Sequence, residues 1–223
     1  MTMVKIDGIS RIEDARAVTK AGADFLGMVF ALSPRQVTPE IARRIVGALK
    51  GIQARPHVVG VFVNTPAKEV NRPANFCGLD MVQLSGDESW EYCREIERPV
   101  IKVVHVPRDK GAETSLGEIF LGESVLGLDG FTCLLDTEME GHYGGTGEKF
   151  DWVLAREAGR HRPVIIAGGL NAENVGEAIR IARPWGVDVS SGVETDGSKD
   201  ISKIKAFVRA VRRADEKFKY TPR

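Results

Sequence analysis

The chain has 223 residues, 43% of them hydrophobic, and its 31 basic side chains balance 31 acidic ones. That is enough apolar material for a sizeable core, and zero net charge gives no argument for a nucleic-acid-binding stripe or a surface for an anionic membrane. No run of about 18 apolar residues is present, so no membrane span is expected. Residues 1–30 contain "EDAR" and lack the apolar centre of a secretory leader. Cys77, Cys93 and Cys133 are odd in number and far apart, which reads as free thiols in a reducing cytoplasm.

Short runs rich in Val, Ile and Leu alternate with stretches of helical spacing. A first strand is expected at 4–6 ("VKI"), then a helix in "RIEDARAVTKAG" that stops at Gly22. The second strand, 25–30 ("FLGMVF"), leads into "TPEIARRIVGALKG". There Thr38 is the expected N-cap, Pro39 takes the first helical position and Gly51 is the stop. Strands follow at 57–63, 79–84 and 100–106. The irregular stretch 107–130 is expected to hold a helix before the sixth strand at 131–136. A seventh strand, 163–168, precedes the helix "NAENVGEAIRIA", with Asn171 as its cap, and an eighth is expected at 186–191. The last helix, "DISKIKAFVRAVRRA", places Ile201, Ile204, Phe207, Val208 and Val211 on one stripe. The end of the chain, "KFKYTPR", reads as a frayed tail from about residue 217.

The strand runs show little alternation of polar with apolar residues, which suits parallel strands covered on both faces. Eight strand–helix units in a chain of this length favour one α/β domain over residues 1–223, a single (β/α)8 TIM barrel. A doubly wound open sheet competes, but "IDGISR" after the first strand is not the glycine-rich turn that such a sheet usually carries.

In a barrel, groups at the C-terminal strand ends converge on one mouth. Asp7 ends the first strand and Asp136 the sixth, a pair suited to proton transfer as base and acid. Each also has a plainer reading as a turn-capping acid. Arg35, in the loop after the second strand, offers a planar fork for a carboxylate. "AGGLN" (167–171) and "SSGVE" (190–194) follow strands seven and eight, where glycines let backbone amides approach a phosphate closely. The glycine-rich segment after Asp136, "GHYGGTGEKFDW", reads as a cover or a linker. His142 lies within it; His57, His105 and His161 are scattered, and none has metal-ligand spacing.

Together these blocks carry a resemblance. "VKIDGIS", "GADFLGMVF", "SPRQV", "VGVFVN", "MVQLSGDE", "LLDT", "YGGTGEKFDW", "IIAGGLNAENV" and "GVDVSSGVE" resemble phosphoribosylanthranilate isomerases nearly end to end. The resemblance implies a (β/α)8 enzyme of tryptophan biosynthesis that performs an Amadori rearrangement on a small phosphorylated substrate, without metal or cofactor. The expected partner is that small molecule, with no nucleic acid and no membrane, and the chain is expected as a monomer or homodimer. By the same resemblance Asp136 is the general acid, and Arg35 anchors the anthranilate carboxylate. Gly168, Gly169, Ser191 and Gly192 would bind phosphate, and Gln83 and Asp188 would lie near the substrate. Two positions depart from the pattern. The family has Cys as general base where this chain has Asp7, and commonly His where it has Ser85. Asp7 is therefore expected to act as the base: a free Asp has a pKa of about 3.9 against about 8.5 for Cys, so it ionises without help but is a weaker base. A different phosphorylated aminosugar, including the histidine-pathway intermediate or both intermediates together, and a ligand-binding variant with little catalysis remain the alternatives.

Overall fold

The computed structural model describes residues 1–106, 112–127, 130–137 and 152–219. Eight parallel strands close into a barrel in chain order: β1 Met3–Ile6, β2 Phe25–Val29, β3 His57–Phe62, β4 Met81–Leu84, β5 Val100–Val106, β6 Thr132–Thr137, β7 Val164–Ile166 and β8 Gly186–Val189. Closure is made by β1 against β8, with Lys5 beside Asp188 and Ile6 beside Val189. The helices are α1 Ile12–Ala21, α2 Pro39–Leu49, α3 Ala67–Cys77, α4 Ala112–Leu126, α5 Trp152–Ala158, α6 Val175–Ala182 and α7 Ile201–Lys219. A 3-10 turn, Tyr92–Glu95, stands between β4 and β5. A second 3-10 turn, Ser191–Val193, follows β8 and leads into a small hairpin, β9 Glu194–Thr195 and β10 Ser198–Lys199.

The expected fold class is observed. Thr38 caps α2 by accepting a 3.3 Å hydrogen bond from the Ile41 amide. Several local readings shift: β4 begins at Met81 rather than 79 and β8 ends at Val189 rather than 191. β7 stops at Ile166 rather than 168, because Gly168 and Gly169 turn the chain with φ of 84° and 60°. α6 starts at Val175; Asn171 instead caps a preceding turn, its Oδ1 accepting from the Glu173 and Asn174 amides at 3.0 Å each. On α7, Ile204, Phe207, Val208 and Val211 are buried as expected, but Ile201, the first residue of the helix, is exposed.

Strand parity divides the core. Residues such as Val4, Ile6, Leu26, Met28, Val58 and Val187 face outward and pack under the helices. Phe25, Val59, Ile101, Val103, Leu134, Ile165 and Ala167 fill the lumen as a second apolar cluster. Acids at the two barrel ends do different work. At the N-terminal end, Asp24 and Asp80 accept from the amides of Val4 (2.8 Å) and Val58 (2.7 Å), satisfying backbone donors at strand starts. At the C-terminal end the lumen turns polar, and the acids there face a cavity.

Candidate active site

That cavity has a volume of about 830 Å³ and opens at the C-terminal ends of the strands. All ten residues singled out in the sequence line it: Asp7, Arg35, Gln83, Ser85, Asp136, Gly168, Gly169, Asp188, Ser191 and Gly192. Strand parity explains the convergence. Position 7 points the same way as position 5, and Gln83, Asp136 and Asp188 occupy inward positions near the ends of β4, β6 and β8.

The most charged part of the wall joins β1 and β8. Lys5 is 1% exposed, and its Nζ lies 2.6 Å from Asp7 Oδ1 and 3.2 Å from Asp188 Oδ1. Burial disfavours the Lys5 ammonium, but the charges of Asp188 and Asp7 outweigh it and raise the lysine above its ordinary value. Asp188 is pushed up to about 8 by burial and by the Asp7 charge, with Asp136 adding to the effect and Lys5 opposing it. The 2.6 Å Lys5–Asp7 approach is an ion pair off the lone-pair direction. Among the described residues Asp7 Oδ1 therefore has no well-directed hydrogen bond. The Asp7 carboxylate fits only because β2 carries glycine beside it: a Cβ on Gly27 would lie 1.5 Å from Oδ1.

Across the mouth, Asp136 is buried at the end of β6, in register with His105 on β5. The His105 Nε2 lies 3.1 Å from the Ser85 carbonyl, where the ring nitrogen must donate. The Gln83 side-chain amide donates to Ser85 Oγ at 3.0 Å, and its carbonyl is buried with no hydrogen-bond partner among the described residues. An acceptor left in that state is a natural contact for a ligand hydroxyl or amine. His142 and the glycine-rich segment after Asp136 lie outside the described residues.

Arg35 does not stand alone at the rim. Its Nε and Nη2 bind the two oxygens of Glu194 at 2.7 Å each, a two-point fork. Lys199 Nζ reaches Glu194 Oε1 at 2.6 Å and the Ser190 carbonyl at 2.9 Å. Burial works against the Glu194 carboxylate, but Arg35 and Lys199 outweigh it and hold the group below the usual carboxylate range. Two cations against one carboxylate leave one positive charge beside the cavity, which suits an anionic ligand group. The Glu194–Lys199 juxtaposition is set by the β9–β10 hairpin, whose turn residues Asp196 and Gly197 have φ of 50° and 74°. Lys5, Gly27, Glu194 and Lys199 are the site residues missed in the sequence. The signals were present: a lysine two positions before Asp7 on a strand, and an Asp-Gly pair of the kind that turns two-residue hairpins.

Eight parallel strands closing on a polar cavity at their C-terminal ends define a (β/α)8 barrel of the enzyme type. A family model described as N-(5'-phosphoribosyl)anthranilate (PRA) isomerase matches residues 4–210. A protein of Dehalococcoides mccartyi named N-(5'-phosphoribosyl)anthranilate isomerase is 49% identical over 215 residues, covering 96% of this chain and 98% of that one. The crystal structure of phosphoribosyl anthranilate isomerase from Thermotoga maritima is 38% identical with a TM-score of 0.82, covering 96% and 100% of the two chains. A structure of the isomerase in complex with reduced 1-(o-carboxyphenylamino)-1-deoxyribulose 5-phosphate has a TM-score of 0.79 at 38% identity, with the same coverage. The chain belongs to the N-(5'-phosphoribosyl)anthranilate isomerase family.

Proposed function

We propose that the chain isomerises N-(5'-phosphoribosyl)anthranilate to 1-(2-carboxyphenylamino)-1-deoxyribulose 5-phosphate, a step of tryptophan biosynthesis, with Asp7 as general base and Asp136 as general acid. The observation that carries the assignment is the placement of two buried aspartates, one directly after β1 and one on β6, around one cavity that is also lined by the glycine loops after β7 and β8.

In this reading Gly168, Gly169, Ser191 and Gly192 hold the phosphate through the backbone. Arg35 takes the anthranilate carboxylate, supported by the surplus positive charge of the Arg35–Glu194–Lys199 group. Asp136 delivers a proton to the ring oxygen of the sugar, and the ring opens to a protonated Schiff base. Asp7 removes the proton at C2 to give an enolamine, which tautomerises to the ketone. No atoms are gained or lost, so the reaction needs no co-reactant. Gln83, Ser85 and Asp188 line the part of the cavity between the two acids and are assigned to the sugar hydroxyls. Three buried free cysteines accord with a cytoplasmic location, and among the described residues no helix is long and apolar enough to cross a membrane. The enzyme would act as a monomer or a homodimer.

The test is turnover of freshly made substrate, followed by its fluorescence. Asp7→Asn is expected to abolish turnover while binding of a product analogue persists, and Asp7→Cys to retain activity. Near-normal turnover by Asp7→Asn would remove Asp7 from the mechanism.

A further inference from the structure

Lys5 is among the largest side chains buried almost completely in the described residues. A charged group in such a place is costly unless it is paired, and an aliphatic residue there would pack the lumen at no such cost. The lower lumen is built that way, from Phe25, Val59, Ile101 and Ile165. Lys5 instead spends its ammonium on two carboxylates that line the cavity, at 2.6 and 3.2 Å. One of them, Asp7, rests in the space left by Gly27 and keeps an oxygen without a well-directed hydrogen bond.

We propose that Lys5 is a positioning residue for the general base: its ammonium, shared between Asp7 and Asp188, fixes the Asp7 carboxylate as the proton acceptor of the cavity. The inference rests on the reading of Asp7 as base. One ammonium cannot neutralise two buried carboxylates, so the group settles with one ionised pair and one protonated acid. The pair is Lys5 with Asp7, the closer contact. Asp188 carries the proton, in keeping with its displacement to about 8 by burial and by Asp7. Asp188 then presents a carboxylic acid to a sugar hydroxyl, while Asp7 stays free to accept from carbon. When Asp7 takes the C2 proton, Asp188 Oδ1 remains beside the ammonium as an acceptor. The other charged groups that act on this cluster are Asp136 from β6, on Asp188, and Arg35 and Lys199 from the rim, on Asp7.

The experiment compares kcat and KM as functions of pH for the parent, Lys5→Met, Asp188→Asn and Asp7→Asn, each checked by circular dichroism and thermal unfolding. Lys5→Met is expected to lower kcat about 10²-fold with KM close to the parent value, because it displaces the reacting oxygen and not the phosphate loops. Its ascending limb of kcat should move to higher pH, since a buried carboxylate without its cation holds a proton more tightly. Asp188 is already a neutral acid below about pH 8, so its neutral isostere in Asp188→Asn should leave the ascending limb near the parent position. A lysine that served packing alone would not move the limb in Lys5→Met. If Lys5→Met does not fold, the position of the Asp188→Asn limb decides the question by itself. An inactive Asp7→Asn beside a Lys5→Met with parental kcat and limb would overturn the role of Lys5 and leave the base assignment standing. An Asp188→Asn limb that moves to lower pH would show the ammonium held by Asp188 in the parent and would overturn its assignment to Asp7. An active Asp7→Asn would instead sink the base assignment itself.

Discussion

Replacing Gly27 by alanine tests the geometry of the base without touching any titratable group. Gly27 lies in β2 outside the positive-φ glycines, so its backbone accepts a side chain. The obstacle is the Asp7 carboxylate: the new Cβ would sit 1.5 Å from Oδ1 and 2.7 Å from Cγ. Carbon contacts normally begin near 3.5 Å, so the carboxylate must retreat by about 2 Å. That movement breaks the 2.6 Å contact with Lys5 and withdraws the base from the cavity. A displacement of about 1 Å at a reacting group can already cost about 10²-fold, so kcat should fall about 10²–10³-fold, or about 3–4 kcal/mol of barrier. The fold should survive. Overpacking costs about 1–3 kcal/mol, and removing a glycine from a strand returns about 0.5–1 kcal/mol. KM should stay near the parent value, because the loops after β7 and β8 are untouched. The assay is the fluorescence-followed turnover, with urea unfolding alongside. A folded Gly27→Ala enzyme with parental kcat would refute the claim that the observed Asp7 position is the working one.

Two further substitutions probe the anion sites. In Gly192→Ala the added Cβ would lie 1.9 Å from the Leu170 carbonyl oxygen, backbone against backbone with no flexible side chain to yield. The loops after β7 and β8 must then part. KM for the phosphorylated substrate and the dissociation constant of a product analogue should rise together by about tenfold or more, some 1.4 kcal/mol; unchanged analogue binding would take the phosphate away from these loops. Glu194→Gln removes a carboxylate held below its usual range. A depressed acid contributes stability that is present above its unfolded pKa, about 4.3 for Glu, and lost as pH falls through its folded value. The urea midpoint of the parent should therefore drop more steeply on the acid side than that of Glu194→Gln, and parallel acid limbs would contradict the pairing with Arg35 and Lys199.

Local chemistry made much of this protein legible in the chain alone. Eight apolar runs spaced by helical stretches indicate a parallel sheet, because strands buried on both faces do not alternate, and their number favours a barrel. Thr38 and Pro39 mark the start of α2 through capping, and the glycines at 168, 169 and 192 announce close backbone approaches. Asp7 and Asp136 could be placed at the mouth because position along a strand sets which end a residue reaches. Elements with mixed local signals escaped. α3 carries Pro73 in its interior, where the ring costs a helical hydrogen bond, so only packing against the barrel shows it as a helix. The β9–β10 hairpin is so short that its Asp-Gly turn did not stand out. What tertiary structure alone decided is lateral register. Closure of β8 on β1 sets Lys5 beside Asp188, 183 positions away, and the pairing of β1 with β2 lays Asp7 over Gly27. Such partners depend on which strands meet and in what alignment, a property of the whole barrel that no local window of residues contains.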